Sequence, residues 1–422
     1  MVGTVIRGLL LAGCLALTGC AFPTGGKSSF CLPCCPPTWQ VEANLYHRGI
    51  FSADAPPPVL NSVGSEPTNP AGYRILTAEE CQCLAVEHAT TAHLVDIERQ
   101  LAIASTPPRP QSRMARGLRV HRQLLELRAA QIRNDAAGQA LETYYQLAAA
   151  EAMADILART SAHLNQMMGR IVELRTQGLQ PPLDELELRR QEIDLLRRQA
   201  ELDWTIAQLN GQLRLLLGWD INGPVRAWPQ ADFIVTESPV NVEAAVQAGL
   251  SSRPDLATLR LLYATLDEAT IPVVRGALQT QDASLGNVTS GFERLGQLLR
   301  PARGDDELAA RRAQLGVLLA EKERELVVGV VTAAGAVEMR RDQAQLAKLA
   351  FDNAVLRLRD LQQLRNVGQA TPAEVSAQEG EVLEAEGEFL QAVAQWRLAE
   401  VKLRQILGVL VWECMDRAAC PP

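Results

Sequence analysis

The stretch Leu364-Arg365-Asn366-Val367-Gly368, followed by Pro372, repeats an earlier one, Leu174-Arg175-Thr176-Gln177-Gly178, followed by Pro182. Leu403-Arg404-x-x-Leu407-Gly408 likewise repeats Leu213-Arg214-x-x-Leu217-Gly218. Every offset is 190 residues, and no gap falls between the two glycines of either copy. The identities are few, but they sit at turn glycines, at first-turn prolines and at a terminal Leu-Gly. Such positions held at one spacing read as one fold unit used twice.

Proline placement says what the unit is. None occurs from Gln111 to Gln180, or from Ala302 to Thr371. Pro182 and Pro372 then follow a glycine turn, where proline suits the first turn of a new helix. Each unit is therefore a helical hairpin turning at Gly178 or Gly368. Its long arm of about 60 residues would reach about 90 Å, and its return arm of about 36 residues about 54 Å.

The apolar period along these arms is seven. Val375, Val382, Phe389, Trp396, Leu403 and Leu410 are spaced by sevens, with Gln378, Ala385, Ala392, Ala399 and Ile406 as companions. The first return arm carries Leu188, Leu195, Leu202, Leu209 and Leu216, and the second long arm Val330, Val337, Ala344, Phe351 and Leu358. Sustained heptads predict coiled-coil packing. Several registers per arm are apolar, more than a two-stranded seam needs, so each helix is expected to have neighbours on two sides. Between the units, Asn222-Gly223-Pro224 and Trp228-Pro229 are turn chemistry. One shorter helix is expected over Asn241 to Ala277 and its counterpart over Thr77 to Ala104.

Composition agrees with a mainly α chain. Of 422 residues, 47% are hydrophobic and only 4% aromatic. So few aromatics disfavour a large β domain or a barrel with aromatic girdles. The net charge of −8 disfavours nucleic acid as a partner.

The first twenty residues read as an address. Arg7 precedes the apolar run Gly8–Leu17, a secretory signal too short to span a bilayer. Leu17-Thr18-Gly19-Cys20 resembles the bacterial lipobox. That resemblance implies cleavage before Cys20, a diacylglycerol on its thiol and a membrane tether. Ala21, in place of Asp, implies the outer membrane. Gly26-Lys27-Ser28 looks like the tail of a phosphate loop but lacks the glycine five residues earlier and any preceding strand, so it reads as tether.

Apart from Cys14 and Cys20, seven cysteines remain: Cys31, Cys34, Cys35, Cys81, Cys83, Cys414 and Cys420. An exported chain meets an oxidising compartment, so disulfides are expected among them. They cluster near the chain ends and would staple the N-terminal tether to the body and to the C-terminal tail. Cys31-x-x-Cys34 and Cys81-x-Cys83, with His88 and His93, match no standard zinc spacing, and no metal site is assigned. Gly-x-Ser-x-Gly, His-Glu-x-x-His and a nucleotide loop after a strand are all missing, so neither an enzyme nor a cofactor is expected. His121 and His163 read as ordinary surface residues of long helices.

Arg253-Pro254-Asp255-Leu256 after the helix Val242–Leu250, Leu364-Arg365-x-x-Gly368 with Glu374-Val375, and Leu407-Gly408 together resemble the TolC family of outer-membrane efflux proteins. Leu76 to Ala85 fits that family's opening helix, and the resemblance covers about Leu76 to Leu410. It implies a homotrimer forming a twelve-helix periplasmic tube. It also implies hairpin tips (Arg175, Gly178, Leu179, Pro182, Arg365, Gly368, Pro372) that meet a periplasmic adaptor joined to an inner-membrane pump. Polar faces such as Glu185, Glu187, Arg189 and Arg190 would be solvated or line the lumen.

The chain departs from the family at the membrane. A family member's first β-hairpin would fall near Ser105–Met114, ten residues with three prolines. One spanning strand alone needs about 9–11 residues. The second would fall near Leu278–Leu299, where alternation is poor and Asp282 and Glu293 suit a lipid face badly. The expected fold is thus mainly α, two long coiled-coil helical hairpins as in a TolC-like α-barrel protomer, with little or no transmembrane β-barrel. The expected organisation is a signal peptide (1–19), a lipid-anchored Cys/Pro-rich tether (20–74), a first hairpin repeat (75–218), an irregular connector (219–240), a second repeat (241–410) and a C-terminal tail (411–422). The function expected is an outer-membrane efflux or secretion conduit, lipid-anchored and facing the periplasm. The alternative is a lipid-anchored coiled-coil scaffold without channel activity.

Overall fold

Two pairs of long helices dominate the computed structural model, which describes residues 72–104, 113–178, 185–235, 239–281, 284–285 and 304–419. In chain order the elements are β1 (Tyr73–Leu76), α1 (Ala78–Glu87), α2 (Thr90–Ala104), α3 (Arg113–Thr176) and α4 (Glu185–Leu216). After β2 (Arg226–Pro229) come α5 (Val242–Ser252), α6 (Pro254–Ala264), α7 (Ile271–Gln281), α8 (Gly304–Asn366), α9 (Pro372–Leu407) and α10 (Leu410–Ala419). The long arms α3 and α8 have 64 and 63 residues, and the return arms α4 and α9 have 32 and 36. At 1.5 Å per residue α3 runs about 96 Å.

The glycines of the repeat end all four long helices. Gly178, Gly218, Gly368 and Gly408 have φ of 76°, 68°, 77° and 74°, and they are the glycines with positive φ among the described residues. Each turns the chain out of its helix in the left-handed region that a Cβ penalises. At Gly368 the Gln369 N–H donates to Leu364 O (2.8 Å) and the Gly368 N–H to Arg365 O (3.0 Å). The same pair of bonds recurs at Gly218 and Gly408, where the carbonyls of Arg214 and Arg404 accept. The repeated Leu-Arg and Gly spacing is therefore the spacing of a helix stop that satisfies the last carbonyls.

Gly218 and Gly408 have a second reason to be glycine. A Cβ at Gly218 would meet the His88 ring at 2.7 Å, where α1 ends. One at Gly408 would meet Arg253 Cα at 3.0 Å, where α5 ends and α6 begins. The Arg253-Pro254-Asp255 motif is that corner: Pro254 opens α6, and Arg253 donates twice to the Asp255 carboxylate at 2.8 Å. Gly408→Ala is expected to destabilise by about 1–3 kcal/mol, because strain and a backbone collision coincide. Gly368→Ala, with open space around it, should cost only the conformational term, about 1 kcal/mol. Denaturant unfolding of the two variants checks the ranking, and equal losses would contradict it.

The long helices form one layer in the order α4, α3, α9, α8: α4 packs on α3, α3 on α9, and α9 on α8. The heptad residues fill these seams. Val330, Val337, Ala344 and Phe351 of α8 are buried with Val375, Phe389, Trp396 and Leu403 of α9, and Phe351 stacks on Phe389 at 6.3 Å. Leu188 and Leu195 of α4 are buried with Leu164 and Ile171 of α3. Full burial of each such large side chain contributes about 1.5–3 kcal/mol.

Several sequence expectations need correction. The single helix expected over Thr77–Ala104 is two, α1 and α2, broken at His88 and Ala89; that over Asn241–Ala277 is three. Pro254 and the Asp267–Thr270 turn, where Thr270 Oγ1 accepts from the Asp267 N–H, break the latter. The connector is not wholly irregular, and residues 73–76 belong neither to tether nor to helix: β1 pairs in parallel with β2, Tyr73 opposite Arg226 and Leu76 opposite Pro229. Asn210 closes the far edge of β2, exchanging two hydrogen bonds with Ala227 at 2.9 and 3.0 Å. The C-terminal segment is helix α10, with Leu410 and Val411 fully buried. Cys83 is bonded to Cys414, joining α1 to α10, whereas Cys81 is a free, buried thiol rather than a disulfide partner.

Candidate functional site

The hairpin tips lie at one end of the layer. At the first, Arg175 in the last turn of α3 pairs with Glu185 at the start of α4. Glu185 also accepts from Arg189 at 2.8 Å, and these arginines, Arg189 foremost, hold its carboxyl below the usual range. Arg190 pairs with Glu187 at 3.5 Å, so this polar face is internally neutralised. Leu179 and Pro182 lie outside the described residues, as do Leu17, Thr18, Gly19, Cys20, Cys31, Cys34, Cys35 and Cys420.

The second tip is described throughout. Thr371 caps α9: its Oγ1 accepts from the Glu374 N–H (3.2 Å), and Glu374 Oε2 accepts from the Thr371 N–H (2.7 Å). Donation to its carboxylate from the Thr371 N–H and then the Thr371 hydroxyl lowers the Glu374 pKa. Pro372 occupies the first turn. The four residues Gly368–Thr371 thus join two capped helix ends, presenting Arg365, Val367 and Gly368 to solvent; Val367 is 69% exposed.

The seam between the two hairpins carries buried charge. Arg159 of α3 donates to both Glu386 oxygens of α9 at 2.7 and 2.8 Å, and the Glu386 side chain is only 3% exposed. One turn nearer the tips, His163 lies 3.4 Å from both Ser376 Oγ and Glu379 Oε2. His163 is therefore a seam residue, not an ordinary surface one. Periodicity alone does not separate a polar residue on a seam from one on a solvated face.

The outer helices differ from the inner ones in what they expose. No large apolar side chain of α9 is exposed, and α3 exposes such residues only near its ends, at Met114 and Val172. By contrast α4 exposes Leu186, Ile193, Leu196, Trp204 and Leu215, with Trp204 at 68%. Helix α8 exposes Val317, Val328, Val331, Met339, Leu346, Leu349 and Leu356. At about 100° per residue each set forms one stripe, centred roughly 150° or more from the buried face of its helix. The free edges of the layer are therefore both apolar. Helix α2 extends the α4 edge: His88 abuts Gly218 at the end of α4, α2 packs along α3, and Leu94, Ile97 and Leu101 are exposed.

Among the described residues no group of three His, Cys, Asp or Glu side chains could hold a metal ion. Among them, too, no helix is long and apolar enough to cross a membrane. Helices α2 and α3 are joined by residues 105–112, eight positions, and α7 and α8 by residues 282–303, twenty-two positions.

The sequence matches no protein-family model and no curated protein sequence. Its structure does have solved counterparts. CusC, solved in a study of folding and transmembrane channel formation, matches with a TM-score of 0.57 and 15% identity, over 78% of this chain and 91% of that one. The Campylobacter jejuni CmeC outer membrane channel matches at 0.56 and 11%, over 85% and 94%. The open-state Neisseria gonorrhoeae MtrE outer membrane channel matches at 0.55 and 11%, over 78% and 88%. The chain thus has the fold of a TolC-like outer-membrane channel protomer.

Proposed function

We propose that the protein is a component of an outer-membrane efflux or secretion system, assembling into an oligomeric α-helical periplasmic conduit. The observation that carries this is the pair of apolar free edges on α4 and α8. A layer with two different sticky edges pairs head to tail, and such contacts close into a ring when the rotation allows. Three copies, with four long helices each, give a twelve-helix tube, the homotrimer the resemblance implies. That the structural neighbours CmeC and MtrE are outer membrane channels supports the location. Lipid on Cys20 would hold the chain there, facing the periplasm. The tips around Gly178 and Gly368 would meet the periplasmic adaptor and, through it, an inner-membrane pump. Transport through such a tube is passive, with no turnover by this chain.

A second reading is favoured by the eight-residue link between α2 and α3. Eight residues cannot hold a transmembrane hairpin, which takes two strands of about 9–11 residues. A chain that keeps the helices but not the barrel could be a lipid-anchored coiled-coil scaffold. Electron-microscope imaging of the detergent-purified mature protein separates the two. The expected result is a three-fold hollow tube, and a single rod without a lumen would leave the scaffold reading.

A further inference from the structure

We infer that the α2–α3 end of the protein docks directly on an anionic phospholipid surface. The inference takes its orientation from the conduit reading, in which this end faces the membrane. Helices α3, α6, α7 and α8 meet here around Val120, Leu262, Val274 and Leu315. The tips lie a full α3 length away.

Charge is the first observation. Residues 99–125 contain six arginines and no Asp or Glu, in a chain of net charge −8. Four of them, Arg113, Arg116, Arg119 and Arg122, fall in the first three turns of α3, whose first turn has no acidic residue. The positive end of the helix macrodipole makes this a poor place for cations. Arg113 and Arg116 in that first turn break the local rule, as real chains do chiefly at functional sites. Among the described side chains, Arg116 pairs with Asp267 at 2.6 Å, and Arg99 lies 3.4 and 3.7 Å from Asp96 and Glu126. Arg116 and Arg119 remain exposed.

Apolar exposure is the second. Ile103 near the end of α2 and Met114 at the start of α3 flank the short link and are 50% and 68% exposed. Arginines that meet headgroups beside apolar side chains that enter the acyl boundary are the two parts of interfacial membrane binding. The eight-residue α2–α3 link is too short for a transmembrane hairpin, so the arginines and apolar side chains beside it are placed to meet a membrane at its surface. The occupant that fits is the phospholipid leaflet that a lipid on Cys20 would enter.

The test is flotation of the chain from residue 21 onward, carrying no lipid, with phosphatidylcholine vesicles either neutral or containing phosphatidylglycerol. Binding is expected only to the anionic vesicles, and to fall steeply as salt rises. Arg113→Glu with Arg119→Glu should lower it on the order of tenfold or more. Glutamate at position 113 suits a first turn, so an unchanged circular dichroism melt shows that the loss is not unfolding. Equal binding to both vesicle types, no binding to either, or binding indifferent to the double variant would each overturn the inference. A ring seen by microscopy with no vesicle binding would sink this inference alone and leave the conduit reading standing.

Discussion

Replacing Ile193 and Trp204 together by Asp is expected to leave the folded chain monomeric. Both side chains are exposed on the free edge of α4, at 58% and 68%, so the protomer loses little by the change. In a ring they would face the apolar stripe of α8 on the next copy. Truncating a buried interface tryptophan typically costs about 2–4 kcal/mol, a thirty- to thousandfold loss of affinity. Burying two carboxylates in an apolar seam adds a desolvation cost on top. Light scattering on the wild-type and variant proteins in detergent reads the outcome directly. A wild-type trimer falling to a monomer, with an unchanged melt, is the expected result. An undiminished trimer would place the interface elsewhere, and a monomeric wild type would remove the ring altogether.

Opening the Cys83–Cys414 disulfide is expected to produce the largest loss of stability. The bond closes a loop of 331 residues, from the first repeat to the helix after the second. The chain-entropy relation gives about 6 kcal/mol for so long a loop, and removal of native disulfides typically costs about 2–5 kcal/mol. Helix α10 has other ties: Gln82 donates to Leu410 O and Glu413 at 2.8 Å, Arg404 pairs with Glu413, and the Trp412 indole donates to Ser252 O at 2.7 Å. These join α1, α9, α10 and α5, so the bond locks a junction that is already packed rather than creating it. Cys414→Ser should lower the melting temperature on the order of 5 °C for a chain of this size, and reductant should do the same to the wild type only. A wild type insensitive to reductant would show that the bond does not hold α10.

What the residues encode locally is legible in the amino-acid order itself. A glycine that must take positive φ, a proline at the first turn and a seven-residue apolar period are short-range signals, each with one physical cause. They set the four long helices, their turns at Gly178 and Gly368, and the stops at Gly218 and Gly408. The excess of apolar registers announces helices with two neighbours, and the exposed stripes of α4 and α8 lie on the faces that no other long helix of the chain covers.

Other features depend on partners distant in the chain. Strand β1 is four residues long, and its ladder partner, β2, lies some 150 positions away. Nothing within either segment marks it as a strand. Asn210 reads as one more polar residue on a helix until its side chain is seen filling the open edge of β2. Cys83 and Cys81 are two residues apart, and only the approach of α10 decides which is bonded and which is buried. His163 and Arg159 look like solvated helix positions until α9 brings Ser376, Glu379 and Glu386 against them. Periodicity and turn chemistry act within a few residues, so sequence alone determined the four long helices and their reversals, but not the breaks among the shorter ones. The order of the helices in the layer, the pairing of β1 with β2, the disulfide and the free edges are long-range outcomes, and only the tertiary structure decided them.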